Sequence, residues 1–151
     1  MITIRSAVPD DAISIIEFQQ KMAQETENIL LDFHTVTNGV HAVFEDATKG
    51  AYYVAVDGDT VVGSLMTTYE WSDWRCGTVI WIQSVYITPT HRGQGVYKKM
   101  YEHIQSLVTP VSGYRGIRLY VDKTNNPAQR VYEKLGMNGE HYQVFEWMLN
   151  V

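Results

Sequence analysis

The run Arg92-Gly93-Gln94-Gly95-Val96-Tyr97 has the residue types and spacing of an anion site. Glycines let successive backbone N–H groups converge, and the first N–H groups of a following helix lack internal partners. Arg92 adds a planar charged fork suited to phosphate oxygens. The turn reads as a cradle for the pyrophosphate of a nucleotide cofactor. An ordinary glycine turn ahead of a helix would use the same residues without a ligand. Two common nucleotide signatures do not fit. A Walker loop needs Gly-x-x-x-x-Gly-Lys-Ser/Thr, which is absent. A dinucleotide fingerprint needs a third glycine and an acidic residue about twenty positions on, and this chain has neither.

The elements that must position this turn follow from periodicity. Before it, Val79 to Ile87 is rich in β-branched and aromatic residues and reads as a buried strand that Pro89 ends. After it, Val96, Met100, Ile104, Leu107 and Val108 recur at helical spacing. Upstream, Ile2 to Arg5 alternates as a first strand. Pro9, Asp10 and Asp11 open a helix whose stripe is Ala12, Ile15, Ile16 and Met22. Glu25 to Thr37 reads as an irregular acidic segment, either a substrate-side lid or a loop over one end of the core. Val40, Val43, Phe44 and Ala47 predict a second helix closed by Gly50. Tyr52 to Val56 and Thr60 to Tyr69 flank the hairpin turn Asp57-Gly58-Asp59, and Glu70 to Gly77 is a connection. Downstream, Ile117 to Val121 predicts a strand, Pro127 to Leu135 a helix, and Tyr142 to Leu149 a last strand. The order β-α-α-β-β-β-α-β-α-β predicts an α/β (mixed α+β) fold. Its sheet is mixed and mostly antiparallel, with helices on both faces, in a single domain spanning 1–151.

Composition narrows the classes. The chain has 151 residues, is 45% hydrophobic and 19% charged, and carries a formal net charge of −5. That balance suits a globular domain and argues against a protein that wraps nucleic acid. Cys76 is the only cysteine, and His34, His41, His91, His103 and His141 show no metal-binding spacing. No metal is expected. No run reaches membrane-spanning length and the N-terminus has no apolar signal region, so a cytoplasmic protein with no membrane partner is the expectation.

A second motif, Asn125-Asn126-Pro127-Ala128-Gln129-Arg130-Val131-Tyr132-Glu133-Lys134-Leu135-Gly136-Met137, reads by periodicity as a short helix with Ala128, Val131 and Leu135 inward. Taken with the Arg-Gly-x-Gly turn and a strand between them, it resembles the GNAT N-acetyltransferase superfamily over nearly the whole chain. The resemblance implies acetyl-CoA as co-substrate and an amine as acceptor. It implies that the turn from Arg92 to Tyr97, with Gly93, Gln94, Gly95 and Val96, grips the pyrophosphate. Tyr97 departs from the family, which usually has Gly or Ala there. Val85, Tyr86 and Ile87 would pair through their backbone with the pantetheine arm, where the strand bulges and splays from the next to open a slot. Asn125 would hydrogen-bond the pantetheine, Ala128 would leave room for it, and Tyr132 would protonate the departing sulfur. Members often dimerise, so a homodimer is implied too.

The implied chemistry is sound. A thiol of pKa about 8.5 leaves tolerably, and a phenol of pKa about 10 can donate to it. The attacking amine must first be neutral. Gln83 stands where some members carry a base glutamate; it can orient a water but cannot accept the proton. Glu25, Glu70, Asp73 and Asp122 are the remaining base candidates. For the acceptor, Tyr69-Glu70-Trp71-Ser72-Asp73-Trp74 interleaves rings and carboxylates, which suits a small cationic amine. Glu25, Glu70, Trp71, Asp73, Trp74 and Trp81 are the candidate acceptor residues. Core or dimer packing is the other reading of the tryptophans. Two classes of function follow: an acetyl-CoA-dependent N-acetyltransferase, or a non-catalytic acyl-CoA-binding sensor module.

Overall fold

A computed structural model describes residues 1–150. The chain forms two compact units, Met1–Arg118 and Leu119–Val151.

The first unit holds a five-stranded sheet in the order β1-β2-β3-β4-β5. Its strands are β1 (Ile2–Ser6), β2 (Ala51–Asp57), β3 (Thr60–Ser72), β4 (Gly77–Ile87) and β5 (Tyr114–Arg118). The first four pair antiparallel, and β4 with β5 is parallel. Helices α1 (Ala12–Glu27) and α2 (Phe33–Glu45) pack on one face. There Ile15, Ile16 and Val40 meet Tyr52, Val54 and Val56 of β2. Helix α3 (Val96–Gln105) contacts β1 and β2 and buries Val96, Met100 and Ile104. It lies on the other face, where the His103 and Tyr53 rings are 5.5 Å apart. The expected mixed sheet with helices on both faces is what forms.

Local chemistry explains the element ends. Pro9–Asp11 forms a 3-10 turn rather than the first turn of α1. Asp11 is buried and does more than favour a helix dipole. Its two oxygens accept from Arg5 at 2.7 and 3.1 Å and one accepts from the Val8 N–H, pinning the start of α1 to β1. Asn28, at φ 52, caps the C-terminus of α1 in the left-handed region. Asp32 then accepts from Thr35 N and starts α2 seven residues ahead of the predicted Val40. Most of the expected irregular segment is therefore helix, and only 28–32 connects.

Three further expectations change. β3 runs on to Ser72, because Glu70, Trp71 and Ser72 continue the ladder with Val79, Thr78 and Gly77. The connection shrinks to 73–76. β5 spans Tyr114–Arg118 instead of Ile117 to Val121, since its register places Arg118 opposite Trp81. The expected strand Tyr142 to Leu149 does not form. These residues join no ladder, and Tyr142, Phe145 and Trp147 are exposed. Alternation supplies a strand's pattern, but a strand exists only where a partner satisfies its N–H and C=O groups.

The second unit contains α4 (Asn126–Lys134). Asn125 Oδ1 accepts from Ala128 N at 3.2 Å and caps it. Gly136 at φ 86 ends it, with Met137 N donating to Tyr132 O at 3.0 Å. Val131 is exposed rather than inward, while Ala128 and Leu135 are half-buried.

Candidate active site

β4 is bent where the chemistry is expected. Its pairing with β3 steps from Met66↔Gln83 to Ser64↔Tyr86, so β4 carries one extra residue. The insertion is a β-bulge, and Ser84 takes it up at φ 55, a conformation that costs a residue with a side chain of order 1–3 kcal/mol. Pairing with β5 stops at Trp81↔Arg118. From Ile82 onward the β5-side edge of β4 has no sheet partner among the described residues. Val85, Tyr86 and Ile87 therefore combine a bulge with an open ladder edge. An extended amide-bearing chain can pair with such an edge.

The turn follows directly. Gly93 and Gly95 both sit in the left-handed region, at φ 74 and 77, where glycine carries no steric penalty. An added Cβ at either meets no atom within 4 Å, so the cradle is open. Gly95 is the N-cap of α3 and its carbonyl accepts from Lys99 N at 3.1 Å. The leading N–H groups of α3, from Val96 and Tyr97, are thus directed at the turn. Val96 itself is buried. Gln94 Nε2 donates to Thr90 O, which holds the loop to the 3-10 turn Pro89–His91. Tyr97 is half-buried, with its ring 6.5 Å from that of Tyr101 one turn on. It packs along the helix flank.

Arg92 is held in place before any ligand arrives. Its Nε donates to Ile87 O at 2.8 Å and its Nη2 to Glu25 Oε2 at 2.8 Å. Its guanidinium lies 5.3 Å over the Tyr86 ring. Tyr86 stacks on Phe18 at 5.0 Å and donates its hydroxyl to Glu25 Oε1 at 3.2 Å. Glu25 is thus held against Arg92 and Tyr86. The hydrogen bond from Arg92 holds its carboxyl below the usual range, so it is a weaker base than expected.

If the turn holds a pyrophosphate, that group and Glu25 compete for the Arg92 cation. Glu25→Gln keeps an oxygen for Arg92 and removes the repelling charge. Because the pair is largely exposed, the change should tighten acetyl-CoA binding by no more than about fivefold. A carboxyl with a lowered pKa stays ionised at neutral pH, so the ratio of mutant to wild-type Kd should be equal at pH 6 and pH 8. Weaker binding in the mutant would show instead that Glu25 serves by orienting Arg92.

Of the other expected acceptor residues, Glu70 and Trp81 are brought together, while Asp73 and Trp74 stand at the tip of the β3–β4 hairpin. Glu70 Oε1 accepts from Trp81 Nε1 at 2.7 Å, and both its oxygens accept from Arg118 at 2.9 and 2.8 Å. The Trp81 and Arg118 hydrogen bonds hold its pKa down, so it offers neither a free charge nor a good base. Asp73 Oδ1 accepts from the Trp74 N–H at the tip of the β3–β4 hairpin. Trp74 is 93% exposed and Trp71 66%. From Gly77 to Tyr86 the strand covers about 30 Å, so this tip is remote from both the bulge and Glu25. Asp122 is engaged by Thr124 N and Oγ1 in a local turn, which lowers its pKa. Gln83 is on β4 beside the bulge, with its Oε1 accepting from Thr68 Oγ1 at 3.1 Å. Asn125, Ala128 and Tyr132 are on or next to α4 in the second unit.

Sequence reasoning missed a recess of about 280 Å³ between α1, α2 and the bulge, lined in part by Gln19, Leu31, Val40, Met66 and Ser84. Its residues come from six segments, and none carries a motif. The one trace was the irregular segment read as a possible lid, which supplies Leu31 and Val36.

A bulged strand with an open edge thus leads into a glycine turn at a helix start. Residues 16–137 match the Acetyltransferase (GNAT) family, and the chain belongs to it. A possible acetyltransferase from Clostridium difficile 630 is 39% identical, with a TM-score of 0.91 over 100% of this chain and 99% of that one. A predicted acetyltransferase of Clostridium acetobutylicum, solved with acetyl-CoA, shares the fold at 16% identity, with a TM-score of 0.73 over 97% of this chain and 96% of that one. The thialysine N-epsilon-acetyltransferase of Bos taurus is 30% identical over 79 residues, 52% of this chain and 45% of the bovine protein. The match thus spans less than half of that relative's length. Among the described residues no helix is long and apolar enough to cross a membrane.

Proposed function

We propose that this chain transfers an acetyl group from acetyl-CoA directly to a primary amine. The observation that carries the reading is the bulge of β4 at Ser84 beside an open ladder edge, running into the Arg92–Tyr97 cradle. The bovine relative's name, an acetyltransferase acting on an amine, supports the acceptor class.

In this reading Arg92 and the N–H groups from Gly93 to Tyr97 hold the pyrophosphate, and the backbone of Val85 to Ile87 holds the pantetheine amides. Asn125 and Ala128 serve the same arm; Asn125 keeps its amide nitrogen for it, since Oδ1 is engaged by Ala128 N. The neutral amine nitrogen attacks the thioester carbonyl carbon. The C–N bond forms, the C–S bond breaks, and the thiolate takes a proton from Tyr132. The amine sheds its proton to water, which Gln83 helps to orient. No carboxylate among Glu25, Glu70, Asp73 and Asp122 is left without a partner to act as that base. The ammonium form of the amine is deprotonated by solvent, so kcat/KM should rise with pH toward the amine's own pKa. A cytoplasmic setting and a homodimer rest on composition and on the family resemblance.

Thiol release from acetyl-CoA, followed with and without a panel of primary amines, tests the reading. An amine should raise the rate and appear as its N-acetyl product. Slow hydrolysis that no amine accelerates would favour a non-catalytic acyl-CoA-binding module.

A further inference from the structure

We infer that Asp57 and His91, both outside the glycine motif, are positioning residues that set the Arg92–Tyr97 turn for the pyrophosphate. This rests on the acetyl-transfer reading above and adds two residues to its cofactor site. The turn needs outside support. Gly93 and Gly95 sit in the left-handed region with open space where a side chain would be. Glycine has the most backbone freedom to lose, so an unbraced turn would lose affinity in ordering around its ligand.

The brace begins at Asp57, the last residue of β2. Its backbone is paired on both sides, with Ile2 of β1 and Thr60 of β3, so the anchor is fixed. Asp57 Oδ2 lies 2.9 Å from Nε2 of His91, 34 positions along the chain. His91 directly precedes Arg92. The hydrogen bond from His91 holds the Asp57 carboxyl below the usual carboxylate range, so it is an ionised acceptor. An ionised carboxylate only accepts, so Nε2 carries the hydrogen. In the neutral ring Nδ1 is then the acceptor, and the Thr88 and Thr90 hydroxyls each stand 3.0 Å from it. With both nitrogens engaged, the ring cannot turn without losing these bonds.

The two threonines carry the brace in opposite directions. Thr88 N donates to Val62 O at 2.9 Å, which ties the loop to β3. Thr90 O accepts from Gln94 Nε2 at 3.0 Å, and Gln94 stands between the two glycines. A continuous path thus runs from the β2–β3 hairpin through His91 and Thr90 into the turn. It acts on backbone placement and requires no contact between Asp57 and the ligand. Asp57 Oδ1 also faces the Met1 amino group at 3.6 Å, so a variant at His91 is needed beside one at Asp57.

The experiment compares acetyl-CoA with S-acetylpantetheine, a thioester that lacks the pyrophosphate, using the best amine of the panel above. The readout is the ratio of their kcat/KM values. Asp57→Ala and His91→Ala should each lower that ratio about tenfold, through a higher acetyl-CoA KM with kcat within about twofold of wild type. A general loosening of the fold would lower both values and keep the ratio. The double variant should lose no more than about twofold beyond either single one, because both act through one path. Asp57→Asn keeps an oxygen for the Nε2–H and should recover most of the loss. Arg92→Ala is the control for the pyrophosphate site. A wild-type ratio in Asp57→Ala or His91→Ala, with the ratio lowered in Arg92→Ala, overturns the inference and leaves the turn as the pyrophosphate site. A wild-type ratio in all three overturns both. If no amine is turned over, the acetyl-transfer reading falls and calorimetry with CoA decides this inference. A Kd equal to wild type in Asp57→Ala then overturns it.

Discussion

Tyr132→Phe is expected to lower kcat by about 10²-fold, with KM for acetyl-CoA little changed. The substitution keeps the ring and deletes only the phenolic proton. The helix that carries it is held at both ends by other groups. Its start is capped by Asn125 Oδ1 on Ala128 N, and its end is closed by Gly136 and the Met137 N to Tyr132 O bond. The magnitude follows from the leaving group. A thiolate of pKa about 8.5 departs without a proton at a tolerable rate, so losing the acid slows the reaction without abolishing it. Steady-state kinetics at saturating amine, with circular dichroism as the folding control, decides the matter. A mutant with wild-type kcat would reduce Tyr132 to a packing residue of α4.

Gly95→Asp should weaken acetyl-CoA binding by more than about tenfold while the fold persists. An aspartate here has two separable effects. As a residue at φ 77 it meets a backbone region that costs L residues about 1–2 kcal/mol, though Asp tolerates it better than most. As an anion at a helix N-terminus it favours α3 by up to about 1 kcal/mol, which offsets that strain. Space is not limiting, since a Cβ at Gly95 meets nothing within 4 Å. What remains is the charge, placed in the cradle that the pyrophosphate is to occupy. Gly95→Asn matches the shape and the conformational tolerance without the charge, so it should lose much less. Calorimetry with CoA at two salt concentrations separates the cases, because the Asp penalty should shrink as salt screens it. Equal affinity for wild type and Gly95→Asp would move the phosphate site elsewhere.

The sequence determined the parts of this protein that are local along the chain. The Arg92–Tyr97 turn, the α3 stripe of Val96, Met100 and Ile104, the Asp57-Gly58-Asp59 hairpin and the helix from Pro127 were all legible, though the Asn125 cap was not. Glycine conformation, side-chain capping and helical spacing act within a few residues. The mixed sheet with helices on both faces was legible from the succession of such elements, while the order of strands within it came from the structure.

What only the tertiary structure decided depends on pairing between distant segments. The run Glu70–Trp74 looks like a binding loop when taken alone. Cross-strand pairing with Thr78 and Val79 turns its first half into β3, and Arg118 takes the Glu70 charge. The contact of Glu25 with Arg92, 67 positions on, exists only once α1 is packed on the sheet. The bulge at Ser84 has no signature, because one extra residue in a ladder exists only relative to the strand opposite. The recess at Gln19 is hidden for the same reason: its walls are shared by helices and strands with no spacing in common, so it forms only when α1 and α2 pack on the sheet.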